Sequence, residues 1–557
     1  MPIISGKQAL LEILKQEGAE VLFGNPGTTE LPLMDALARE RGIHYILALQ
    51  EAVAVAMADG YAQASGQLAV LNVHVSPGLG NAMGMLYNAW RAGSPLLLTA
   101  GQHDQSFTIT EPALWSDLPP VARPYVKWAF EVHRLDELPR AVHRGAKVAL
   151  TPPTGPVFLS LPVDVLNAEG TLELGEPTRV DHRVRGSREA LERAADLLVQ
   201  AKRPILLAGD AVAQSDALAE LQEVAEILGT PVYLEGWANR CAFPFTHPLY
   251  RGAILRLAPQ LRALLLEHDL LFSVGGDLLT LSLPSDTEPM PEGLPIVHLD
   301  VDAWEIGKNY PARVAIVGDP KMTLPDLAEA LRQRFKDGRH PEAQLRLDES
   351  RQRREREIAE LKARAQAESD RVPITPLALV HAIAEALPPE AVVVDESISS
   401  GRGLRTLLRC QDSRSFFGIR GGGIGWGLPA TVGVKLALPH RPVVGLIGDG
   451  SAMYTNQALW TGAREGLGVV FVILNNRSYR ILKQRIQHLK GWASQDDVYV
   501  GMELDNPLID FVGLAKSLGV PGERLEKCRE VGPALARGLA SGGPYLLDVQ
   551  LDASFKS

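Results

Sequence analysis

A chain of 557 residues, 46% hydrophobic and 22% charged, is too long for one core and too apolar for disorder, so two to four globular domains are expected. Its formal charge of −10 supplies no basic field for a phosphate polymer, which argues against nucleic acid and for small molecules as partners. Three cysteines, Cys241, Cys410 and Cys528, lie far apart without CxxC spacing; neither a disulfide framework nor a structural zinc site is expected, and a reducing cytoplasm suits them. The opening "MPIISGKQALLEILKQEG" is amphipathic with Glu12 and Glu17, and no apolar run reaches membrane-spanning length. Neither export nor a membrane partner is expected.

Short apolar, β-branched runs then alternate with helical periodicity: "AEVLFGN", "HYILAL", "QLAVLNVH", "PLLLTAG" and "PVFLSLP". Such alternation predicts a parallel sheet covered by helices on both faces. The charged "RVDHRVRGSREALERAADLL" reads as a linker entering a helix, and a second group follows it: "PILLAG", "PVYLEG", "LLFSVGG" and "IVHLDVD". Residues 348–370, "DESRQRREREIAELKARAQAESD", mix both charges as a solvated bridging helix does. A third group, "AVVVDES", "VVGLIGDG", "VVFVILNN" and "PYLLDVQ", completes the chain. The predicted fold class is α/β: three doubly wound domains with mostly parallel sheets, over residues 1–185, 186–349 and 350–557.

The segment from 448 to 476, "GDGSAMYTNQALWTGAREGLGVVFVILNN", carries chemistry. Its first strand ends at Gly448, and ligands of open α/β sheets collect beyond the carboxyl ends of strands. Asp449 stands at that rim. A helix is predicted from Ser451, with Ala458, Leu459, Ala463 and Leu467 on one side, and the next strand returns to the rim with Asn475 and Asn476. One carboxylate and one amide oxygen are hard donors suited to magnesium or calcium, but too few to hold the ion without diphosphate oxygens. Gly448 and Gly450 leave room for phosphate, and the helix start at Ser451 offers amide donors. Glu51, in "HYILALQEAVAVAMADGYAQASG", closes a buried strand and opens an Ala/Val-rich helix, where burial should raise its pKa.

GDG, 24 residues and NN resemble the thiamine diphosphate fingerprint of the 2-oxo acid decarboxylase and acetolactate synthase superfamily. With "VLFGNPGTTELP", "HVSPGLGNAMGMLYNAWRAGSPLLLTAGQ", "RPYVKW" and "GPVFLSLPVD", the resemblance covers nearly the whole chain and is closest to the benzoylformate decarboxylase family. It implies pyrimidine-binding, middle and diphosphate-binding domains in that order, and thiamine diphosphate with Mg2+ (or Ca2+) as cofactors. Asp449, Asn476 and the Ser478 carbonyl would bind the metal, with Gly448, Gly450, Ser451 and Tyr479 around the diphosphate. Glu51 would protonate N1′ of the pyrimidine, making the 4′-amino group basic. Gly422 would receive that amino group through its carbonyl, and Ile424 would bend the cofactor. Thr28 and His74 would serve the reaction from the substrate side, with Ser282, Ile481, Leu482 and Arg485 lining the pocket. Glu396, at a strand end, is placed to hold backbone amides. The family puts the glutamate and the diphosphate site on different subunits, which implies a homodimer at least and usually a homotetramer.

The implied activity is non-oxidative decarboxylation of a small 2-oxo acid to an aldehyde, with carboligation open as a second outcome. An acetolactate-synthase-type carboligase and a 2-hydroxyacyl thioester lyase are the alternatives on the same cofactor. The chain departs from its nearest relatives at Ser282, where they carry a pocket histidine; a serine is no efficient acid near neutral pH, so the relay is incomplete or supplied elsewhere. That departure raises a non-catalytic cofactor-binding subunit as a further alternative, which Glu51 and the GDG/NN pair oppose. Gln484, Arg485 and Arg420, with Ile481, stand where the relatives have small or aromatic residues, so benzoylformate itself is not the expected substrate. The middle domain lacks the GxGxxG turn of a nicotinamide enzyme, and no flavin contact is inferred there.

Overall fold

The computed structural model describes residues 3–555. Two compact units emerge, one of residues 3–180, 369–401 and 419–555, the other of residues 181–368 and 402–418.

The first unit holds two parallel sheets. In one, strands β1 (Val21–Gly24), β2 (His44–Leu47), β3 (Ala69–Val73), β4 (Leu96–Gln102), β5 (Trp128–Glu131) and β6 (Val157–Pro162) lie in the order β2-β1-β3-β4-β6-β5, all parallel. Strands β3, β4 and β6 are buried along their whole length, as a sheet covered on both faces requires. Asn72 is tolerated inside β3 because its Nδ2 donates to Thr99 Oγ1 at 3.0 Å. A two-stranded antiparallel ribbon pairs Ile3–Ser5 with Glu169–Thr171.

Helix α1 (Glu51–Ser65) follows β2. The Gln50 side chain caps it by accepting from Val53 N at 3.2 Å, and Gly66, at φ 72°, ends it in a left-handed turn. Helix α2 (Val75–Ala92) follows β3 directly after His74 and ends at Gly93, φ 65°.

The middle unit carries β7 (Pro204–Ala208), β8 (Val232–Leu234), β9 (Tyr250–Ala253), β10 (Leu270–Val274), β11 (Ile296–Asp300) and β12 (Val314–Val317) in the order β9-β8-β7-β10-β11-β12, all parallel. Helix α3 (Ala343–Ala367) belongs to this unit and runs through position 350. It is mostly exposed, as its mixed charges predict. Arg354 departs from that pattern: it is buried, its guanidinium bonded to the Phe245 carbonyl and lying 5.3 Å from the Tyr250 ring centroid.

The second sheet of the first unit orders five parallel strands, β13 (Val392–Glu396), β14 (Val443–Gly448), β15 (Val469–Asn475), β16 (Gly522–Leu525) and β17 (Tyr545–Gln550), as β13-β14-β15-β17-β16. Helix α4 (Gly427–Ala437) packs against α1. Small residues permit the approach: a Cβ on Gly60 would lie 2.5 Å from the Ala430 carbonyl oxygen, and one on Gly433 would run into that of Met57. The pairs are reciprocal, Gly60 with Ala430 and Met57 with Gly433, so the helices pass in opposite senses.

Helix α5 spans Ala458–Arg464, and this corrects one expectation. Ser451 does not open a long helix: Asp449–Ala452 form a single turn, residues 453–457 are turns, and Leu467 lies beyond α5. Thr455 Oγ1 donates to the Gly425 carbonyl at 2.6 Å, a tertiary bond that holds those turns in place of a continuous helix. Helix α6 (Arg480–Leu489) follows β15.

Candidate active site

Two clusters form at strand ends of the first unit. The first lies beyond β1, β2 and β3, where the strand order reverses direction, the place such sheets offer a ligand. Glu51 is 7% exposed, and its Oε2 accepts from Asn81 Nδ2 on α2 at 3.0 Å. His74 stands beside it: a Cβ on Gly78 would lie 2.9 Å from Glu51 Oε1 and 3.1 Å from His74 Cβ. His74 Nδ1 contacts Glu30 Oε2 at 2.8 Å and Thr29 Oγ1 at 3.2 Å. The Glu30 carboxylate is buried and also accepts from Gly27 N at 2.9 Å, Gly101 N at 2.7 Å and Thr29 Oγ1 at 2.9 Å. A carboxylate on Nδ1 assigns the proton to that nitrogen and leaves the Nε2 lone pair for a ligand.

Of the residues expected here, Glu51 and His74 come together. Thr28 is exposed at the start of a short turn, and the hydroxyl on His74 is its neighbour's, Thr29. Sequence reasoning missed Thr29, Glu30 and Asn81. The run "TTE" beside a glycine turn carried a signal for the first two, since a carboxylate near a strand-end histidine is its natural orienting partner.

The second cluster lies beyond β13, β14 and β15. Asp449 is 2% exposed. Burial pushes its carboxyl up to about 6, against backbone amides of Gly450, Arg477 and Ser478 that favour the ionised form. Its Oδ2 has no hydrogen-bond partner. Asn476 Oδ1 accepts from Ser478 N at 3.1 Å and Ser478 Oγ at 2.9 Å, while Asn475 turns to the far side of the strand and donates to Asp548 at 2.9 Å. Gly450 has the Tyr479 ring against it, where a side chain would collide. An unsatisfied buried carboxylate oxygen beside an amide and a carbonyl is a hard-oxygen donor set, the kind magnesium or calcium takes. Among the described residues no group of three or more His, Cys, Asp and Glu is arranged to hold a metal.

Glu396 ends β13 and is 1% exposed. Its Oε1 accepts from Gly425 N at 2.7 Å and Trp426 N at 3.3 Å, and its Oε2 from Gly427 N at 2.6 Å. Gly422 is exposed at φ 84° and Ile424 is half-buried in the same turn. On α6, Leu482 is 45% exposed, with Ile481, Gln484 and Arg485 half-buried beside it. Arg420 is buried. Ser282 lies in the middle unit, where its backbone N donates to the Arg256 carbonyl at 2.9 Å and its buried Oγ has no partner.

The two clusters stand apart within one chain. Glu51 lies six residues before Met57, and Gly427 six before Gly433, the residue that meets Met57; about 9 Å of each helix therefore leads away from the α1–α4 contact, in opposite senses. On α2, Asn81 holds Glu51 and Asn88 holds Gly423, with about 10 Å of helix between them.

Residues 4–112, 191–327 and 400–549 match, in turn, the N-terminal thiamine pyrophosphate (TPP) binding domain, the central domain and the C-terminal TPP binding domain of thiamine pyrophosphate enzymes. The chain belongs to the thiamine pyrophosphate enzyme family. It is 33% identical over 545 residues to benzoylformate decarboxylase of Pseudomonas aeruginosa, covering 97% of this chain and 98% of that one. It is 30% identical over 570 residues to the acetolactate synthase isozyme 3 large subunit of Escherichia coli, covering 100% and 96%. Among solved structures, the thiamine diphosphate-dependent 4-hydroxybenzoylformate decarboxylase of Rhodococcus jostii RHA1 matches with a TM-score of 0.86 at 29% identity, covering 99% and 100%. Benzoylformate decarboxylase from Polynucleobacter necessarius matches at 0.87 and 28%, covering 99% of each chain.

Proposed function

We propose that the protein is a thiamine diphosphate-dependent decarboxylase that converts a 2-oxo acid to an aldehyde without oxidation. The observation that carries the reading is Asp449: a carboxylate buried at a strand end with one oxygen that no protein group satisfies. Asp449, Asn476 Oδ1 and the Ser478 carbonyl would hold Mg2+ or Ca2+, with Gly448, Gly450, Ser451 and Tyr479 around the diphosphate. When bound, thiamine diphosphate supplies an electron sink for cleaving the bond between the carboxylate and the carbonyl carbon.

The chain's own groups then have separate tasks. Glu51, buried and oriented by Asn81, holds a proton against N1′ of the pyrimidine. The Gly422 carbonyl would accept from the 4′-amino group, and Ile424 would support the cofactor between its two rings. His74, its ring fixed through Nδ1 by Glu30, would take up a proton from solvent on Nε2 and deliver it to the substrate-derived carbon after carbon dioxide leaves. Thr28, Ile481, Leu482 and Arg485 border the substrate. Ser282 takes the place of the relatives' histidine, which leaves His74 as the proton-transfer group of this reading.

The separation of Glu51 from the Asp449 rim supports a homodimer in which each site combines the first cluster of one copy with the second cluster of another. A homotetramer would be two such dimers. No helix among the described residues is long and apolar enough to cross a membrane, in keeping with a cytoplasmic enzyme.

A panel of aliphatic, aromatic and dianionic 2-oxo acids, assayed for carbon dioxide in the presence of thiamine diphosphate and Mg2+, tests the activity; no release from any member would overturn it. Dialysis of Asp449→Ala tests the anchor: metal and cofactor are expected to be lost together, and retained cofactor would contradict the site. The resemblance to acetolactate synthases supports carboligation as a second reaction, read as a hydroxyketone product from pyruvate alone.

A further inference from the structure

The turn from Gly421 to Gly427 is held from several sides, and the grip alternates along it. Asn88 of α2 embraces Gly423, its Nδ2 donating to the Gly423 carbonyl at 2.7 Å and its Oδ1 accepting from Gly423 N at 3.0 Å. A Cβ on Gly421 would lie 2.8 Å from Asn88 Cα. Glu396 takes the amides of Gly425, Trp426 and Gly427, and Thr455 takes the Gly425 carbonyl. Behind the turn, Trp426 Nε1 donates to Asp59 Oδ2 on α1 at 2.7 Å. Gly421, Gly423, Gly425 and Gly427 are thus pressed onto protein, while between them Gly422 is exposed and Ile424 half-buried. Gly425, at φ 101° with the Tyr454 Cβ 2.5 Å from where its own would stand, has no room for any other residue.

We propose that Asn88 and Glu396 are positioning residues that preset this turn for the pyrimidine end of the cofactor, acting through the Gly422 carbonyl and the Ile424 side chain. The inference rests on the cofactor reading above and adds a division of labour: the turn serves the ring, whereas Asp449, Asn476 and Ser478 serve the diphosphate. Asn88 and Glu396 are 1% exposed, so neither is offered as a group that touches the ligand. Removing Asn88 leaves both Gly423 backbone groups without that partner and lets the turn relax, which misplaces the ring's contacts but leaves the diphosphate loops untouched; Glu396 also accepts from the Ser451 hydroxyl at the diphosphate rim, so its loss is expected to reach both ends.

Two ligands separate the roles. Dissociation constants for thiamine diphosphate and for inorganic pyrophosphate, each with Mg2+, are measured on the wild type, Glu396→Gln and Asn88→Ala, with folding checked by circular dichroism. Weakening of thiamine diphosphate by about tenfold or more, the loss expected of one unmade buried hydrogen bond, with pyrophosphate affinity unchanged, supports the clamp. Asn88→Ala decides if it folds; otherwise Glu396→Gln decides, by weakening thiamine diphosphate more than pyrophosphate, and failure of both to fold overturns the positioning role in favour of a structural one. Equal weakening of both ligands in the deciding variant, or wild-type affinity for both, likewise overturns it. A wild type that binds neither ligand overturns the cofactor reading and this inference together.

Discussion

The carboxylate of Glu51, the first residue of α1, and the side-chain amide of Asn81, in the second turn of α2, meet at 3.0 Å. Asn81 fixes the direction of a buried acid whose proposed task is to hold a proton against one ring nitrogen. In Asn81→Ala that oxygen loses its donor, at a cost of about 1–3 kcal/mol for a buried partner left unpaired. Turnover is expected to fall at least about tenfold with thiamine diphosphate affinity changed much less, because the diphosphate anchor is elsewhere. Steady-state kinetics and a binding titration on the same sample check this; equal losses in both would place Asn81 in folding rather than in orientation.

Gly27 lies flat against His74, and a Cβ on it would overlap the imidazole. Its backbone N also donates to Glu30 at 2.9 Å. Gly27→Ala must therefore push the ring off Glu30 or move the turn. Release of aldehyde is expected to slow by about tenfold or more, while cofactor content stays at the wild-type level, since a misplacement near 1 Å at a reacting group costs rate before binding. Unchanged aldehyde formation would remove His74 from the proton-transfer role.

In the middle unit, Asp300 ends β11 and is 5% exposed. Burial pushes its carboxyl up to about 7, with Asp302, Asp277 and Glu305 adding to the rise, despite a bond from Asp302 N at 2.8 Å. A group raised in the folded state contributes stability below its unfolded value near 4 and loses it as pH climbs through about 7. Asp300→Asn has no such titration. The wild type is therefore expected to melt progressively lower relative to Asp300→Asn between pH 5 and pH 8, by an amount on the order of 2–4 kcal/mol. A difference constant across that range contradicts the assignment.

What the sequence disclosed follows periodicity and strand ends. Continuous apolar runs marked the buried parallel strands, and the polar residue at the end of each run, Glu51, His74 and Asp449, marked the rims where ligands collect. The helix from Ser451 was misread because its pattern of Ala458, Leu459 and Ala463 is helical only from 458, and the bond from Thr455 to Gly425 that holds the preceding turns is tertiary. Asn81 and Asn88 were illegible for the same reason: their partners, Glu51 and Gly423, lie 30 and 335 residues away, and an asparagine on a helix face carries no local mark of what it will hold. Cys241 and Cys410 of the middle unit and Cys528 are buried.

The sharing of each site between copies is tested most directly by mixing two inactive variants. Glu51→Gln and Asp449→Ala are co-expressed with different tags, and carbon dioxide release is measured on a 2-oxo acid that the wild type consumes. Each variant alone is expected to be inactive. In a random mixture half of the dimers are hybrids, each with one intact site of two, so activity is expected to return to about a quarter of the wild-type value. A mixture as inactive as its components would contradict a site built from Glu51 of one copy and Asp449 of another.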